Sequence, residues 1–104
     1  MNNYDSRSQG EMSFPEPSEE IVELYKQHVP LYLSELHTAI ENDDQPSVLF
    51  HCHKMSSAMK TMGFDNIADL LEVIQREKPQ GEALLKIGNK VERLVEHTLV
   101  LLSK

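Results

Sequence analysis

Two histidines flank the cysteine in the stretch "LFHCHKMSSAMKTMGF", which spans residues 49–64. Histidine and cysteine side chains bind metals and act as nucleophiles, and a histidine can also carry a phosphoryl group. Both residue types also pack inside protein cores. The role open to His51, Cys52 and His53 depends on the element that carries them, because a reactive side chain must be exposed to its partner.

The chain around this stretch has apolar residues at helical spacing and no strand-like alternation. Breaks are marked by Pro30, by "ENDDQP" and by "KPQG", and Gly63 is a suitable helix stop. We therefore expect five helices: about 18–28 with Ser18 as its cap, about 30–42, a third that begins near Pro46 and runs to about 62, a fourth capped by Asp65, and a last one over about 81–103.

Short connections between amphipathic helices are typical of an antiparallel helical bundle. The sequence predicts an all-α fold over residues 18–104: an antiparallel up-and-down four-helix bundle with a short extra N-terminal helix. Residues 1–17 are polar, contain three residues of the Gly and Pro type, and are predicted to form a flexible tail. With 104 residues, the chain is expected to hold one small domain.

The chain is acidic, with 10 Lys and Arg against 17 Asp and Glu and a formal net charge of −7. This balance argues against binding to nucleic acid or to an anionic membrane surface, since both need a basic patch. No apolar run approaches the roughly 20 residues of a membrane span, and the first residues lack the pattern of a secretory signal. One cysteine excludes an internal disulfide. We therefore expect a cytoplasmic protein.

A helical wheel, at 100° per residue, separates the side chains of the third helix into a core face and a solvent face. His53 lies roughly 140° from the centre of the core face, so it is predicted to point to solvent. His51 lies near the edge of that face and is predicted to be half-buried and hydrogen-bonded. Cys52 is predicted to be a small buried hydrophobe. The core face consists of Val48, Cys52, Met55, Met59 and Met62.

The histidines do not have the spacing of a metal site. His51 and His53 lie about 200° apart on the wheel, whereas ligands on one helix need a spacing of three or four residues. No second cysteine accompanies them, and His28, His37 and His97 stand alone on other helices. The sequence therefore predicts no metal site in this chain.

The solvent face around His53 combines a reactive side chain with exposed apolar groups. Exposed apolar residues beside such a group are typical of a docking surface. Lone exposed histidines and apolar residues are also common on proteins without any such role, so geometry alone leaves both interpretations open. The face is predicted to carry Leu49, Phe50, Ser57 and Lys60, with Ser56 at its rim.

A neutral imidazole is a competent nucleophile near neutral pH. Attack on a phosphoryl group also requires in-line access and neutralisation of charge. The chain has no acidic cluster that would hold a metal at His53, no phosphate-binding glycine loop and no kinase-type ATP motif. His53 could therefore receive and pass on a phosphoryl group only with a partner that brings the metal, which describes a carrier and not an enzyme.

The stretch "CHKMSSAMKTMGF" resembles the motif of histidine-containing phosphotransfer (HPt) domains, which act in multistep two-component signalling. In this resemblance His53 takes the phosphoacceptor position, Cys52 the small residue before it, and Gly63 the glycine ten positions after it. Asp44 lies nine residues before His53, as in the turn that leads into the family's helix. Placing His51 on the phosphoacceptor would misplace Gly63 by two positions and turn the nucleophile toward the core.

The similarity covers about residues 20–78, and it implies a phosphorelay intermediate. His53 would accept a phosphoryl group from the phospho-aspartate of a receiver domain, or from a hybrid sensor histidine kinase, and pass it to a response-regulator receiver. No cofactor of its own is implied, since Mg²⁺ is expected on the receiver, and a monomer is expected. The resemblance places Leu49 and Phe50 in the docking patch and Lys54, Ser56, Ser57 and Lys60 around the phosphate.

Two positions depart from the family pattern. The family's lysine three residues after the phosphoacceptor is Ser56 here, and the glycine that follows it is Ser57. In the family this lysine helps to orient or neutralise the phosphate. Lys60 and Lys54 could each compensate for its charge, but only Lys60 points to the His53 face. The departures favour a second hypothesis, an HPt-like adaptor that binds and sequesters a receiver or a kinase without being phosphorylated.

Overall fold

The computed structural model describes residues 17–104, and this part of the chain contains four α-helices and no strand. They are α1 (Glu19–Glu41), α2 (Gln45–Met62), α3 (Asp65–Glu77) and α4 (Gly81–Leu102). The predicted all-helical fold is confirmed. None of these helices combines the length and the apolar character needed to cross a membrane. The predicted flexible tail, residues 1–17, lies outside the described residues except for Pro17.

Local sequence signals set the ends of α1 and α2. The Ser18 hydroxyl accepts a hydrogen bond from the backbone N–H of Ile21 at 3.2 Å and caps α1. A carboxylate oxygen of Asp44 accepts from the backbone N–H of Ser47 at 3.3 Å and caps α2. Gly63 ends α2 with a φ of 80°, a left-handed conformation that glycine adopts without steric penalty. The predicted start at Ser18 and stop at Gly63 are therefore confirmed.

The start of α3 differs from the prediction by one residue. Phe64, and not Asp65, is the N-cap residue, and no side chain caps this end. The backbone carbonyl of Phe64 accepts from the N–H groups of Ile67 and Ala68, both at 3.1 Å. Asp65 lies in the first turn instead, where the positive end of the helix dipole stabilises a carboxylate.

Helix α1 runs through Pro30 without interruption, so the predicted break into helices over 18–28 and 30–42 is wrong, and with it the short extra N-terminal helix. Proline removes one backbone hydrogen bond and crowds the preceding turn, which normally ends or kinks a helix. Here Val29 before the proline and Leu36 after it are both buried in the same core. Burial on both sides of Pro30 stabilises the continuous helix and outweighs the lost hydrogen bond.

The core lies between the four helices, each of which packs against the next, while α1 also packs against α4. The predicted core face of α2 is confirmed, because Cys52, Met55 and Met59 are fully buried. Burial of each large apolar side chain contributes roughly 1.5–3 kcal/mol. The core is completed by Val48 and Met62 of α2, by Tyr25, Val29, Leu36 and Ala39 of α1, by Ile67, Ala68, Leu71 and Ile74 of α3, and by Leu84, Val91 and Val95 of α4.

Contacts between α1 and α2 favour the predicted antiparallel arrangement. Tyr25 near the start of α1 contacts Met59 near the end of α2, whereas Glu35 further along α1 contacts Lys54 earlier in α2. The turns that join consecutive helices span only two or three residues. Turns of this length are typical of antiparallel neighbours. The order of the contacts along α1 and α2 also favours an antiparallel arrangement.

Candidate functional site

Helix α2 exposes His53 and buries its neighbour. His53 is exposed to solvent, Cys52 is fully buried, and the side chain of His51 retains 17% of its exposure. The residues are consecutive, so the helical rotation of about 100° per residue turns them in different directions once Cys52 is anchored in the core. The predicted outward orientation of His53 is confirmed.

His51 is half-buried as predicted, but its predicted hydrogen bond is absent at Nδ1. That nitrogen is buried and has no hydrogen-bond partner within residues 17–104. Oε1 of Glu35 on α1 lies 3.8 Å away, beyond hydrogen-bond distance. The ring of Phe50 packs edge-on against the imidazole, with 5.4 Å between ring centroids. His51 is therefore enclosed beside α1, and a partner has less access to it than to His53.

Ser56 lies in the interface between α2 and α3, which corrects its predicted position at the rim of the solvent face. The residue is only 4% exposed. Its hydroxyl donates to the backbone carbonyl of His53 at 3.0 Å, and the side-chain amide of Gln75 on α3 donates to its oxygen at 3.5 Å. A wheel of one helix cannot show that α3 covers this side of α2. In this arrangement the Ser56 hydroxyl is engaged with His53 and Gln75.

Ser57 is exposed near His53, as predicted. Its hydroxyl donates to the His53 carbonyl at 3.3 Å, so two serine side chains converge on one backbone oxygen. Such bonds to a carbonyl one turn earlier tie a serine side chain to its own helix. The small side chain of Ser57 therefore leaves the approach to His53 open.

Gln75 on α3 is a site residue that the sequence reasoning missed. Its side-chain amide donates to the carbonyl of Leu71 at 3.2 Å as well as to Ser56. The residue is half-buried and directly follows the buried Ile74. A polar side chain at the border of an amphipathic helix's apolar face is the signal that could have identified it. Gln75 connects α3 to the turn of α2 that carries His53.

Lys60 points from α2 to α3, where its ammonium contacts the carboxylate of Glu72. Hydrogen bonding to Glu72 and its negative charge raise the pKa of Lys60, with further contributions from Asp69 and Asp65. These three carboxylates lie at positions four and three residues apart, so they share one face of α3. The charge of Lys60 is therefore offset by α3.

Lys54 turns toward α1, on the other flank of α2. Its Nζ lies 3.3 Å from Oε1 of Glu35 and 4.4 Å from the centroid of the Tyr32 ring. The ring of Phe50 lies 5.3 Å from the same nitrogen. An ammonium over an aromatic face is attracted by the ring quadrupole. Lys54 is therefore held between α1 and Phe50.

The two apolar residues of the predicted docking patch lie on different sides of His53. Phe50 is 61% exposed and contacts Lys54 on the α1 side. Leu49 was predicted to be exposed, but it is half-buried and lines a small groove with Lys78 and Pro79, at the end of α3. The patch therefore presents one exposed aromatic ring and one more enclosed aliphatic side chain.

Burial raises the pKa of Cys52 to about 12, so the thiol stays protonated and unreactive at neutral pH.

Among residues 17–104, no three His, Cys, Asp or Glu side chains come together as a metal site would require. Of the predicted residues, the structure brings Ser56 and Ser57 to His53 and directs Lys54 and Lys60 to α1 and α3.

Comparison with known families gives a match for this chain. The model of the Hpt domain family matches residues 20–98, which includes all of α2 and α3 and most of α1 and α4. The chain belongs to the Hpt domain family. The match extends beyond residue 78, where the resemblance read from the sequence ended, and so includes α4. Comparisons with curated proteins and with solved structures gave no match.

Membership of this family places the chain in histidine-containing phosphotransfer of two-component signalling. Hpt domains carry phosphoryl groups between partners and do not have a catalytic site of their own. The family therefore accounts for an exposed histidine on a helical bundle.

Proposed function

We propose that this chain is a phosphorelay intermediate with His53 as its phosphoacceptor. It receives the phosphoryl group from the phospho-aspartate of a receiver domain, or through a hybrid sensor histidine kinase, and passes it to a response-regulator receiver. The observation that carries the proposal is the exposure of His53 in the middle of α2, next to a fully buried Cys52. The bundle around it is taken as antiparallel, a proposal that the contacts of Tyr25 with Met59 and of Glu35 with Lys54 support.

The transfer step is a displacement at phosphorus. The lone pair of His53 Nε2 forms a P–N bond while the P–O bond to the partner's aspartate breaks, and that electron pair returns to the carboxylate. The proton on Nδ1 stays on the ring or passes to solvent. The receiver supplies Mg²⁺ and a lysine that neutralise the charge in transit. Return of the group to a receiver is the same step in reverse.

In this step the chain's own residues hold the His53 imidazole where a receiver can reach it. The Ser56 and Ser57 hydroxyls on the His53 carbonyl hold the backbone of this turn. Phe50 provides an apolar contact for the receiver, and Leu49 borders it on the α3 side. Neither ATP nor a metal is bound by the chain itself in this proposal, which makes it a carrier. We further propose that it is a cytoplasmic monomer that binds neither nucleic acid nor membrane.

The experiment is a transfer assay with phosphorylated receivers and Mg²⁺, read as acid-labile, alkali-stable phosphate on this chain. Wild type is expected to be labelled and His53→Gln is expected to carry no label. His51→Gln is the matched control, because it makes the same change on the same helix at the enclosed position, and it should keep the label. Loss of the label in His51→Gln with retention in His53→Gln would contradict the assignment.

A second candidate function, an adaptor that is never phosphorylated, is favoured by one observation. Ser56 stands where the family has its lysine, and its side chain is buried. An adaptor would bind a receiver or a kinase with the same affinity in wild type and in His53→Gln, and it would carry no phosphate with any receiver. Isothermal titration beside the transfer assay separates the two functions.

A further inference from the structure

The α2 surface lacks a cation where the family has its lysine, because that position is the buried Ser56. Two lysines of α2 lie nearby, but Lys54 contacts Glu35 and Lys60 contacts Glu72. A phosphoryl group carries about −1.5 to −2 charges near neutral pH. A stable phosphohistidine here therefore calls for a cation from an element other than α2.

The contact between Ser56 and Gln75 aligns α2 with α3. His53 lies three residues before Ser56, and Lys78 lies three residues after Gln75. Because neighbouring turns of two antiparallel helices pair in opposite order, this register brings the end of α3 at Lys78 to the level of His53.

Two further observations support this register. Lys60, four residues after Ser56, contacts Glu72, three residues before Gln75, as the opposite directions of the two helices require. Leu49 lies one turn before His53 on the same side of α2, and it lines one groove together with Lys78. Lys78 therefore borders α2 at Leu49, one turn before His53.

The backbone of Lys78 is unusual. It is the C-cap of α3 with φ 50° and ψ 53°, a left-handed conformation that glycine or asparagine adopts more easily than lysine. Its side chain is exposed, and none of the ion pairs within residues 17–104 involves it. A lysine at this place also stabilises the negative end of the helix dipole, so a test must separate that structural effect from phosphate binding.

We propose that Lys78 is the cation that binds the phosphoryl group on His53, in place of the lysine that Ser56 replaces. The proposal rests on the proposed function and deepens it. The ammonium reaches from the end of α3 to the phosphoryl oxygens, while Ser56 keeps its partners in the helix interface. Asp43, which lines the same groove, is the carboxylate that competes for the ammonium.

The test labels His53 without any receiver and then titrates the phosphoryl group. Phosphoramidate serves as the donor: its P–N bond to ammonia breaks as the P–N bond to His53 forms, and ammonia leaves. ³¹P NMR then follows the second ionisation of the phosphoryl group against pH. A nearby cation favours the dianion, so it lowers the pH midpoint of this ionisation. The shift is roughly 0.5 pH unit for one charge a few ångströms away in water.

Lys78→Asn is the informative variant, because asparagine removes the charge but suits the left-handed backbone. It should raise the midpoint by roughly 0.5 unit, whereas Lys78→Arg should keep the wild-type value. Lys90→Gln on the exposed part of α4 is the matched loss of one charge and should leave the midpoint unchanged. Thermal unfolding of Lys78→Asn is expected at the wild-type temperature or above, which separates its effect from a loss of structure.

An unchanged midpoint in Lys78→Asn would overturn this inference and leave the proposed function intact. A shift in Lys60→Gln equal to or larger than that in Lys78→Asn would also overturn it, since Lys60 would then be the phosphate's cation. Wild type that takes no phosphoryl group on His53 from phosphoramidate and from receivers contradicts the proposed function itself, and this inference with it.

Discussion

Ser56 and Gln75 join the turn that carries His53 to the neighbouring helix. The Gln75 amide donates to the Ser56 oxygen at 3.5 Å, and the Ser56 hydroxyl donates to the His53 carbonyl at 3.0 Å. At the position where the family has its lysine, this chain therefore has a serine whose hydrogen bonds brace the turn that carries His53. In our proposal, Ser56 and Gln75 fix the backbone beneath His53, and Lys78 at the end of α3 neutralises the phosphate.

Removal of the brace should cost stability. In Ser56→Ala the Gln75 amide loses an acceptor inside the interface, so the free energy of unfolding should fall by about 1 kcal/mol. Urea unfolding followed by circular dichroism measures it. Ser57→Ala removes an exposed hydroxyl from the same carbonyl and should change stability by less than about 0.5 kcal/mol. Equal losses in the two variants would show that the contact with Gln75 stabilises nothing.

Phe50 should matter for docking and not for folding. Phe50→Ala is expected to slow transfer from a phosphorylated receiver by roughly tenfold, as loss of an exposed aromatic anchor in an interface typically does, while labelling by phosphoramidate stays as in wild type. Leu31→Ala on α1 is the matched control, because Leu31 and Phe50 are both 61% exposed. Slower labelling by the small donor in Phe50→Ala would point to a disturbed site and count against a docking role.

Tyr25 and Thr98 form a buried hydrogen bond between α1 and α4. Their oxygens lie 2.7 Å apart, the Thr98 hydroxyl donates to the carbonyl of Val95 at 2.6 Å, and the Tyr25 hydroxyl lies 3.5 Å from Met59 Sδ. Tyr25→Phe and Thr98→Val should each lower the free energy of unfolding by about 1–2 kcal/mol. Because the two side chains share one bond, the double variant should lose less than the sum. Strict additivity would show that the bond contributes nothing.

The buried thiol of Cys52 should make the free energy of unfolding depend on pH. Burial raises its pKa from 9.0 to about 12, so the folded state disfavours the thiolate relative to the unfolded state. Its contribution to stability is therefore present below about pH 9 and is lost as the pH rises from about 9 to about 12. Cys52→Ala should lose less stability than wild type over this window. A thiol reagent at pH 8 should label Cys52 only in urea, and rapid labelling of the folded protein would contradict the burial.

Replacement of Pro30 should make the protein more stable. The residue is exposed and lies inside a continuous helix, where proline forfeits a backbone hydrogen bond. Pro30→Ala should therefore raise the free energy of unfolding by about 1–3 kcal/mol, measured by urea unfolding. A less stable variant would mean that the proline ring, or a bend that it imposes, is required for α1 to follow the core.

Periodicity along α2 was enough to predict its core face and the exposure of His53, but not the burial of Ser56. Cys52, Met55 and Met59 are buried and His53 is exposed because the rotation per residue is a local property of any α-helix. The stop at Gly63 follows from a conformational preference of the residue itself. These features need no knowledge of the other helices, and the family motif depends on them.

What the sequence by itself determined is therefore the set of helical faces, most of the caps and the outward direction of His53. The tertiary structure alone decided that α1 continues through Pro30, since burial on both sides of the proline overrides a local rule. It also decided that Ser56 faces Gln75 and that Lys54 and Lys60 face carboxylates of α1 and α3. Those partners lie 12 to 19 residues away along the chain, and only the packing of helices against one another brings such groups within a few ångströms.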